Sequence, residues 1–114
     1  MRDQFCNAML KQAMNHKTVF LTGDLGFMAL EPLANSLGNR FINCGVAEQN
    51  MISVAAGMAK TGLHPWAYSI SPFIYARPFE QLRNDIAFND LPVKIVGNGG
   101  GYGYGVMGPS HHAI

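Results

Sequence analysis

Glu48 is the residue whose setting points most directly to chemistry. It lies in "FINCGVAEQNMISVAAGMAK" (41–60), between an apolar run and a helical pattern built largely from small residues. A carboxylate enclosed by such surfaces is desolvated, which raises its pKa and lets it share a proton near neutral pH. Such a group is suited to protonating or hydrogen-bonding a ring nitrogen. A simpler role is also open, because a carboxylate in the first turn of a helix complements the helix dipole, worth under about 1 kcal/mol.

Apolar runs and helical patterns alternate along the chain. The runs centred near residues 20, 43, 67 and 95 predict strands, and their spacing of roughly 23 to 28 residues is typical of strand–helix–strand units in a parallel sheet. Ligands of such sheets lie beyond the carboxyl ends of the strands. We therefore expect functional residues in the segments after the strands: "TGDLG", "NCGVAEQ", "SISPF" and "GNGGGYGYGVMGPSHH".

The residue patterns predict four helices and four strands. Apolar residues at helical spacing mark the first helix, and Gly38 is placed to end the second. The predicted helices cover 2–16, 29–40, 47–61 and 77–90, and the predicted strands cover 18–23, 40–45, 64–70 and 91–98.

Composition indicates one packed domain. Of the 114 residues, 48% are hydrophobic and only 13% are charged, and the net charge is +1. These values disfavour a disordered chain and a nucleic-acid-binding surface. The sequence has no apolar run long enough to span a membrane and no recognisable secretion signal. Cys6 and Cys44 lie far apart in apolar contexts, as expected for reduced cysteines of a cytoplasmic protein.

The segment "NCGVAEQNMISVAAGMAKTGLHP" resembles the pyrimidine-binding domain of transketolases. It is also similar to 1-deoxyxylulose-5-phosphate synthase and to the beta subunits of 2-oxo acid dehydrogenases. The resemblance implies a three-layer α/β/α fold with a mainly parallel, doubly wound sheet, and thiamine diphosphate as cofactor. It further implies that Glu48 contacts the ring nitrogen of the cofactor's aminopyrimidine and promotes the imino tautomer that activates the thiazolium carbon.

The same resemblance implies roles for further residues. "LTGDLG" matches an aspartate-containing turn, which places Asp24 near the thiazolium or the substrate; such an Asp also serves simply to cap a turn. "YSISPFIYARPFEQLRND" resembles the aromatic segment around the aminopyrimidine, with Phe73 and Phe79 at its outer positions and Ala76 where a third aromatic is common. Core packing is the alternative role for each Phe.

"GPSHHAI" resembles the glycine–proline–threonine–histidine motif of transketolases, with Ser110 in place of the threonine. The resemblance implies that His111 lines the substrate channel, where an imidazole can bind a sugar hydroxyl or move a proton. A loop histidine without function, or an adventitious metal pair with His112, is the alternative.

The glycine-rich "GYGYGVMG" imitates a dinucleotide-binding motif. Gly103, Gly105 and Gly108 have the G-x-G-x-x-G spacing, which requires a helix directly afterwards to direct its amides at a pyrophosphate. Pro109 and a Ser-His-His run follow instead. A mobile loop that closes over a substrate is the preferred interpretation.

A second imitation concerns the metal motif of thiamine-diphosphate enzymes, which begins Gly-Asp-Gly and ends in Asn. Here "GDL" and Asn50 have a similar spacing, but Leu25 replaces the second glycine and Asn50 falls in the helix of Glu48. We therefore predict no metal ligands in this chain. A partner domain would hold Mg²⁺ and the diphosphate.

These features predict the pyrimidine-binding half of an enzyme that transfers a ketol unit between sugar phosphates. Deoxyxylulose-phosphate synthesis and 2-oxo acid decarboxylation remain alternatives, because the aminopyrimidine machinery is common to all three. A non-catalytic nucleotide-binding regulatory module and a degenerate interface fragment are alternatives of other classes. The resemblance implies a diphosphate-binding domain or subunit as partner, in a homodimer or heterotetramer, without which the chain would be inactive.

The domain is expected to be incomplete. Residues 1–114 would form a single pyrimidine-binding domain, and members of the family continue beyond the substrate motif with another helix and strand. The small residues Ala55, Ala56 and Gly57 would suit close helix packing at a subunit interface or an internal contact.

Overall fold

A four-stranded parallel sheet forms the centre of the molecule. The computed structural model describes residues 1–114. In the sheet order β2-β1-β3-β4, every neighbouring pair is parallel. The strands are β1 (Thr18–Thr22), β2 (Phe41–Asn43), β3 (His64–Ile70) and β4 (Lys94–Asn98). The predicted α/β class with a parallel sheet is confirmed.

Five α-helices surround the sheet, and none of the helices is long and apolar enough to cross a membrane. They are α1 (Arg2–Ala13), α2 (Glu31–Leu37), α3 (Glu48–Lys60), α4 (Ser71–Tyr75) and α5 (Phe79–Gln81). A π-helical turn, Leu82–Ala87, continues α5.

The sheet carries a separate apolar core on each face, which makes the domain three layers deep. All five residues of β1 are buried, as expected of a central strand in a parallel sheet. Side chains alternate across a strand, so Phe20 packs with α1 and α2 while Val19 and Leu21 pack with α3. Ala55 and Ala56 belong to this second core and are 0% and 4% exposed. Their small size therefore serves an internal contact.

The helix predicted over 77–90 differs from the structure in its start and in its hydrogen-bonding pattern. A separate short helix, α4, comes before it, the chain turns at 76–78, and the predicted segment then forms α5 and the π-helical turn. Pro78 accounts for the break, because proline has no N–H and disfavours helical geometry at the residue before it. The break leaves Arg77 outside both helices.

The strand order reverses between β1 and β3. Helix α2 connects β1 to β2 across one face of the sheet, and α3 connects β2 to β3 across the other. In open α/β sheets this reversal opens a crevice at the carboxyl ends of the two strands, where ligands bind. The loops after β1 and β3 therefore form the expected site.

Candidate functional site

Glu48 lies in the crevice between β1 and β3. It is the first residue of α3, and its side chain is directed toward the residues that end those two strands. The hydroxyl of Ser69, in β3, donates a hydrogen bond of 3.3 Å to Oε1 of Glu48. A Cβ at Gly23, directly after β1, would lie 3.6 Å from the same oxygen. The carboxylate is therefore held at the point where the strand order reverses.

The carboxylate is almost fully enclosed. Glu48 is 4% exposed, and charged side chains are rarely buried to this extent unless they are paired. Nη1 of Arg77 supplies the pairing, at 3.3 Å from Oε1 and 3.2 Å from Oε2. An isolated buried carboxylate would carry a desolvation penalty of several kcal/mol, which this guanidinium and the Ser69 hydroxyl offset. This environment goes beyond what the helix dipole alone requires of a carboxylate.

Arg77 connects Glu48 to an aromatic ring. Its guanidinium carbon lies 3.7 Å from the centroid of the Phe73 ring, in cation–π contact. The side-chain amide of Gln49 donates to the backbone carbonyl of Arg77 at 3.3 Å, which ties the turn after α4 to the start of α3. The Arg77 side chain itself remains 45% exposed.

The glycine-rich loop brings His111 against the same ring. His111 packs edge-on against Phe73 with 4.9 Å between ring centroids, and against Tyr104 with 5.5 Å. The Ser110 hydroxyl lies 2.9 Å from Nδ1 of His111, and the tautomer decides which group donates. Three residues that the sequence predicts to be functional, Glu48, Phe73 and His111, thus belong to one chain of contacts, in which Arg77 joins Glu48 to Phe73.

Asp24 and Phe79 lie outside this chain of contacts. Asp24 is exposed and has a left-handed φ of 57° in the turn after β1. Its carboxylate accepts a hydrogen bond of 2.8 Å from the Asn43 side chain, whose Oδ1 accepts from the amide of Gly45. Asp24 therefore ties the loop after β1 to the end of β2, on the side of β1 away from β3. Phe79, at the start of α5, is 63% exposed.

An open cavity of about 450 Å³ adjoins the buried carboxylate. Its walls come from the loop before α3, the first turn of α3 and the turn after α4, and consist of Val46, Ala47, Glu48, Gln49, Asn50 and Arg77. The carboxylate and the guanidinium are its charged groups. The cavity can thus receive a ligand that donates hydrogen bonds to the carboxylate.

Cys44 follows β2 but is not equipped as a nucleophile. It is a free, half-buried thiol. Burial raises the pKa of this thiol above its ordinary value, so the protonated form predominates at neutral pH.

The structure places both the glycine-rich segment and the Asn50 of the apparent metal motif in local secondary structure. Gly105 begins a 3-10 turn that ends at Met107, and turns rather than a helix follow it. Asn50 lies in the first turn of α3. No group of three or more His, Cys, Asp or Glu side chains is placed to hold a metal ion.

Ser69 and Arg77 are two residues of the site that were not predicted from the sequence. A buried carboxylate needs a cationic partner, and the chain has only eight Lys and Arg residues in total. Arg77 stands inside the aromatic segment already singled out, so this requirement was the available signal. Ser69, in contrast, carries no sequence signal that distinguishes it from an ordinary strand serine.

The chain is similar to transketolases and to related synthases. Residues 5–114 match the family described as "Transketolase, pyrimidine binding domain". An apulose-4-phosphate transketolase subunit of Phocaeicola vulgatus is 33% identical over 99% of this chain and 37% of its own length. The 1-deoxy-D-xylulose-5-phosphate synthase of Gloeobacter violaceus is 33% identical over 96% of this chain and 17% of its own.

A solved structure shares the fold. It is described as a split gene transketolase, inactive beta4 tetramer, and it superposes with a TM-score of 0.82 at 36% identity. The match covers 99% of this chain and 36% of that one. The chain therefore spans little more than a third of the length of these transketolase subunits. Together with the match over residues 5–114, the similarity shows that the chain belongs to the family of transketolase pyrimidine-binding domains.

Proposed function

We propose that this chain binds the aminopyrimidine of thiamine diphosphate in an enzyme that transfers a ketol unit between sugar phosphates. The observation that carries the proposal is the burial of Glu48 at the reversal of the strand order, beside an open cavity and connected through Arg77 to the Phe73 ring. Membership of the transketolase family supports the cofactor class.

The residues present fit an aminopyrimidine. Glu48 accepts hydrogen bonds from Ser69 and Arg77, and a carboxylate has about four lone-pair sites, so Oε2 can accept a further N–H. Phe73 offers a half-buried ring to a planar heterocycle, a contact worth about 0.5–1.5 kcal/mol beyond area burial. When bound, thiamine diphosphate would supply a carbon nucleophile and electron sink. In this proposal Glu48 holds a proton at the ring nitrogen, and Phe73 orients the ring.

His111 and Asp24 are proposed to face the substrate. The His111 ring is oriented by Phe73, Tyr104 and the Ser110 hydroxyl, so one nitrogen can bind a sugar hydroxyl or move a proton. Asp24 follows β1, the strand on one side of the crevice, and is bonded to Asn43. We assign Phe79 to the edge of the pyrimidine site, since its exposed ring follows the turn that carries Arg77.

The proposal requires a second polypeptide or domain. In it, the diphosphate and Mg²⁺ are bound by a diphosphate-binding partner, and neither half is active alone. Two observations support this: the Phocaeicola vulgatus relative is named as one subunit of a transketolase, and the solved relative is described as an inactive beta4 tetramer of a split gene transketolase. We propose a homodimer, if one polypeptide carries both domains, or a heterotetramer, if two subunits do, in the cytoplasm.

Deoxyxylulose-phosphate synthesis is the second candidate activity. It is favoured by the 33% identity to the Gloeobacter violaceus synthase over nearly the whole of this chain. Both reactions would use Glu48 and Phe73 in the same way. Assays with ketose donors and with pyruvate distinguish the two activities.

The proposed function is tested by calorimetric titration of thiamine diphosphate with Mg²⁺ into the chain, with and without its co-purifying partner. We expect thiamine diphosphate to bind only when the chain and its partner are both present. Thiamine diphosphate binding that is absent from the intact, folded complex would contradict the proposal. It would favour a regulatory module that uses the same fold.

Substitutions at Gly23 are expected to act on the site through Glu48. A Cβ here would be in ordinary contact with Ser69, Glu48 and the Gly45 carbonyl, at 3.5, 3.6 and 3.6 Å. Gly23→Ala should therefore leave cofactor affinity within about threefold, whereas the branched side chain of Gly23→Val should weaken it by about tenfold or more. The measurement is the same titration of the complex, with thermal unfolding as the check on folding. Equal cofactor affinities of the two variants would show that a larger side chain at position 23 does not disturb the position of Glu48.

A further inference from the structure

Arg77 makes the two contacts that the proposed function assigns to the aminopyrimidine. It donates to both carboxylate oxygens of Glu48, and it lies close enough over Phe73 to bring its guanidinium carbon to 3.7 Å from the ring centroid. The space beside the Glu48 carboxylate and over the Phe73 ring is called the pyrimidine seat. We infer that the Arg77 guanidinium occupies this pyrimidine seat when no ligand is bound, and that an aminopyrimidine binds by displacing it. This inference rests on the proposed function.

The chemistry of the two groups explains the competition. A guanidinium is planar and delocalised and presents several N–H donors in one plane. An aminopyrimidine is likewise planar, and it offers an N–H edge when its ring nitrogen carries a proton. Two planar groups cannot lie on the same face of Phe73 at 3.7 Å.

The surroundings let the Arg77 side chain move while its backbone stays in place. The backbone carbonyl of Arg77 is held by Gln49, and the following Pro78 is buried. The side chain is 45% exposed, whereas Glu48 is 4% exposed. Displacement thus swings a long, partly hydrated side chain toward solvent and leaves the carboxylate in its buried position.

The arrangement has a cost and a benefit. In the unloaded chain, Arg77 neutralises a carboxylate that would otherwise be buried without a cation, so the empty site is stabilised. A ligand that needs the same seat binds only the fraction of molecules in which Arg77 has moved away, and its apparent affinity falls by that fraction. Arg77 therefore sets how tightly the pyrimidine half binds its ligand.

The first test asks whether the seat recognises a guanidinium. Millimolar guanidinium chloride, compared with equal sodium chloride, should raise the unfolding midpoint of Arg77→Ala by linkage and should not raise that of the unsubstituted chain. Adding Glu48→Gln to Arg77→Ala should remove the effect. Arg83→Ala is the matched control, because Arg83 is exposed and bonds to Asn84. If guanidinium did not stabilise Arg77→Ala, the inference that the pyrimidine seat binds a guanidinium group would be wrong.

The second test measures the competition directly, with 4-amino-2-methylpyrimidine as the probe in ligand-observed NMR titrations. We expect Arg77→Ala to bind the probe about tenfold more tightly than the unsubstituted chain, and Arg77→Lys to lie between them because it keeps the charge and loses the planar contact. Equal or weaker binding by Arg77→Ala overturns the inference. If the complex still binds thiamine diphosphate in that case, the proposed function stands. If guanidinium stabilises Arg77→Ala but neither the chain nor the complex binds any pyrimidine, the inference about Arg77 and the proposed function are both contradicted.

Discussion

Glu48→Gln is expected to lower the rate of thiamine-diphosphate-dependent ketol transfer by about 10²–10³-fold, which is typical for the loss of one preorganised group at a reacting centre. The substitution keeps the size and planarity of the side chain and removes its charge. The amide can no longer hold a shared proton at a ring nitrogen, whereas the Ser69 hydroxyl can still bond to it. Folding should survive, since Arg77 is 45% exposed and can be hydrated when its ionic partner is lost.

The measurement is a single-turnover assay of the complex, with saturating cofactor and Mg²⁺, so that a change in cofactor affinity is separated from a change in rate. Glu80→Gln is the matched control, because Glu80 is an exposed carboxylate that accepts a hydrogen bond from Asn84. It should leave the rate unchanged within about twofold, as expected for a surface substitution. A Glu48→Gln complex with the unsubstituted rate would assign Glu48 a purely structural role.

Phe20→Ala is expected to destabilise the domain by about 3–5 kcal/mol, a large part of the roughly 5–15 kcal/mol that holds such a domain folded. Phe20 is fully buried in the central strand. Its ring centroid lies 5.4 Å from that of Phe41, 5.7 Å from that of Tyr68 and 6.3 Å from that of Phe5. Truncation therefore leaves a cavity between the sheet and α1 that these rings cannot fill without leaving their own contacts.

Urea denaturation gives the change in the free energy of unfolding, provided that the slope of the transition is the same in each variant. Phe88→Ala serves as the control, because Phe88 is 89% exposed after the π-helical turn, and its loss should change stability by less than about 0.5 kcal/mol. Similar losses of stability in Phe20→Ala and Phe88→Ala would mean that Phe20 and its three aromatic neighbours do not form a buried core.

The strands could be predicted from the sequence because their signals are local. The predicted strand over 64–70 coincides with β3, and the predicted helix over 47–61 contains the whole of α3. The placement of Val19 and Leu21 on one face of β1 and Phe20 on the other needs only the two-residue period of a strand. The region after β3 was predicted less well: α4 was not predicted, and the helix predicted over 77–90 begins only after Pro78, as α5 and a π-helical turn. The winding of such a segment depends on its packing against α3 and the sheet.

The amino-acid sequence alone was enough to predict the fold class, the family and the position of a carboxylate at the start of α3. These follow from strand spacing, apolar periodicity and a contiguous motif, all of which are local in the chain. The surroundings of that carboxylate, in contrast, depend on the three-dimensional fold. Ser69 and Arg77 lie 21 and 29 residues beyond Glu48 and reach it because the strand order reverses between β1 and β3. The pairing that buries the charge is therefore a consequence of topology.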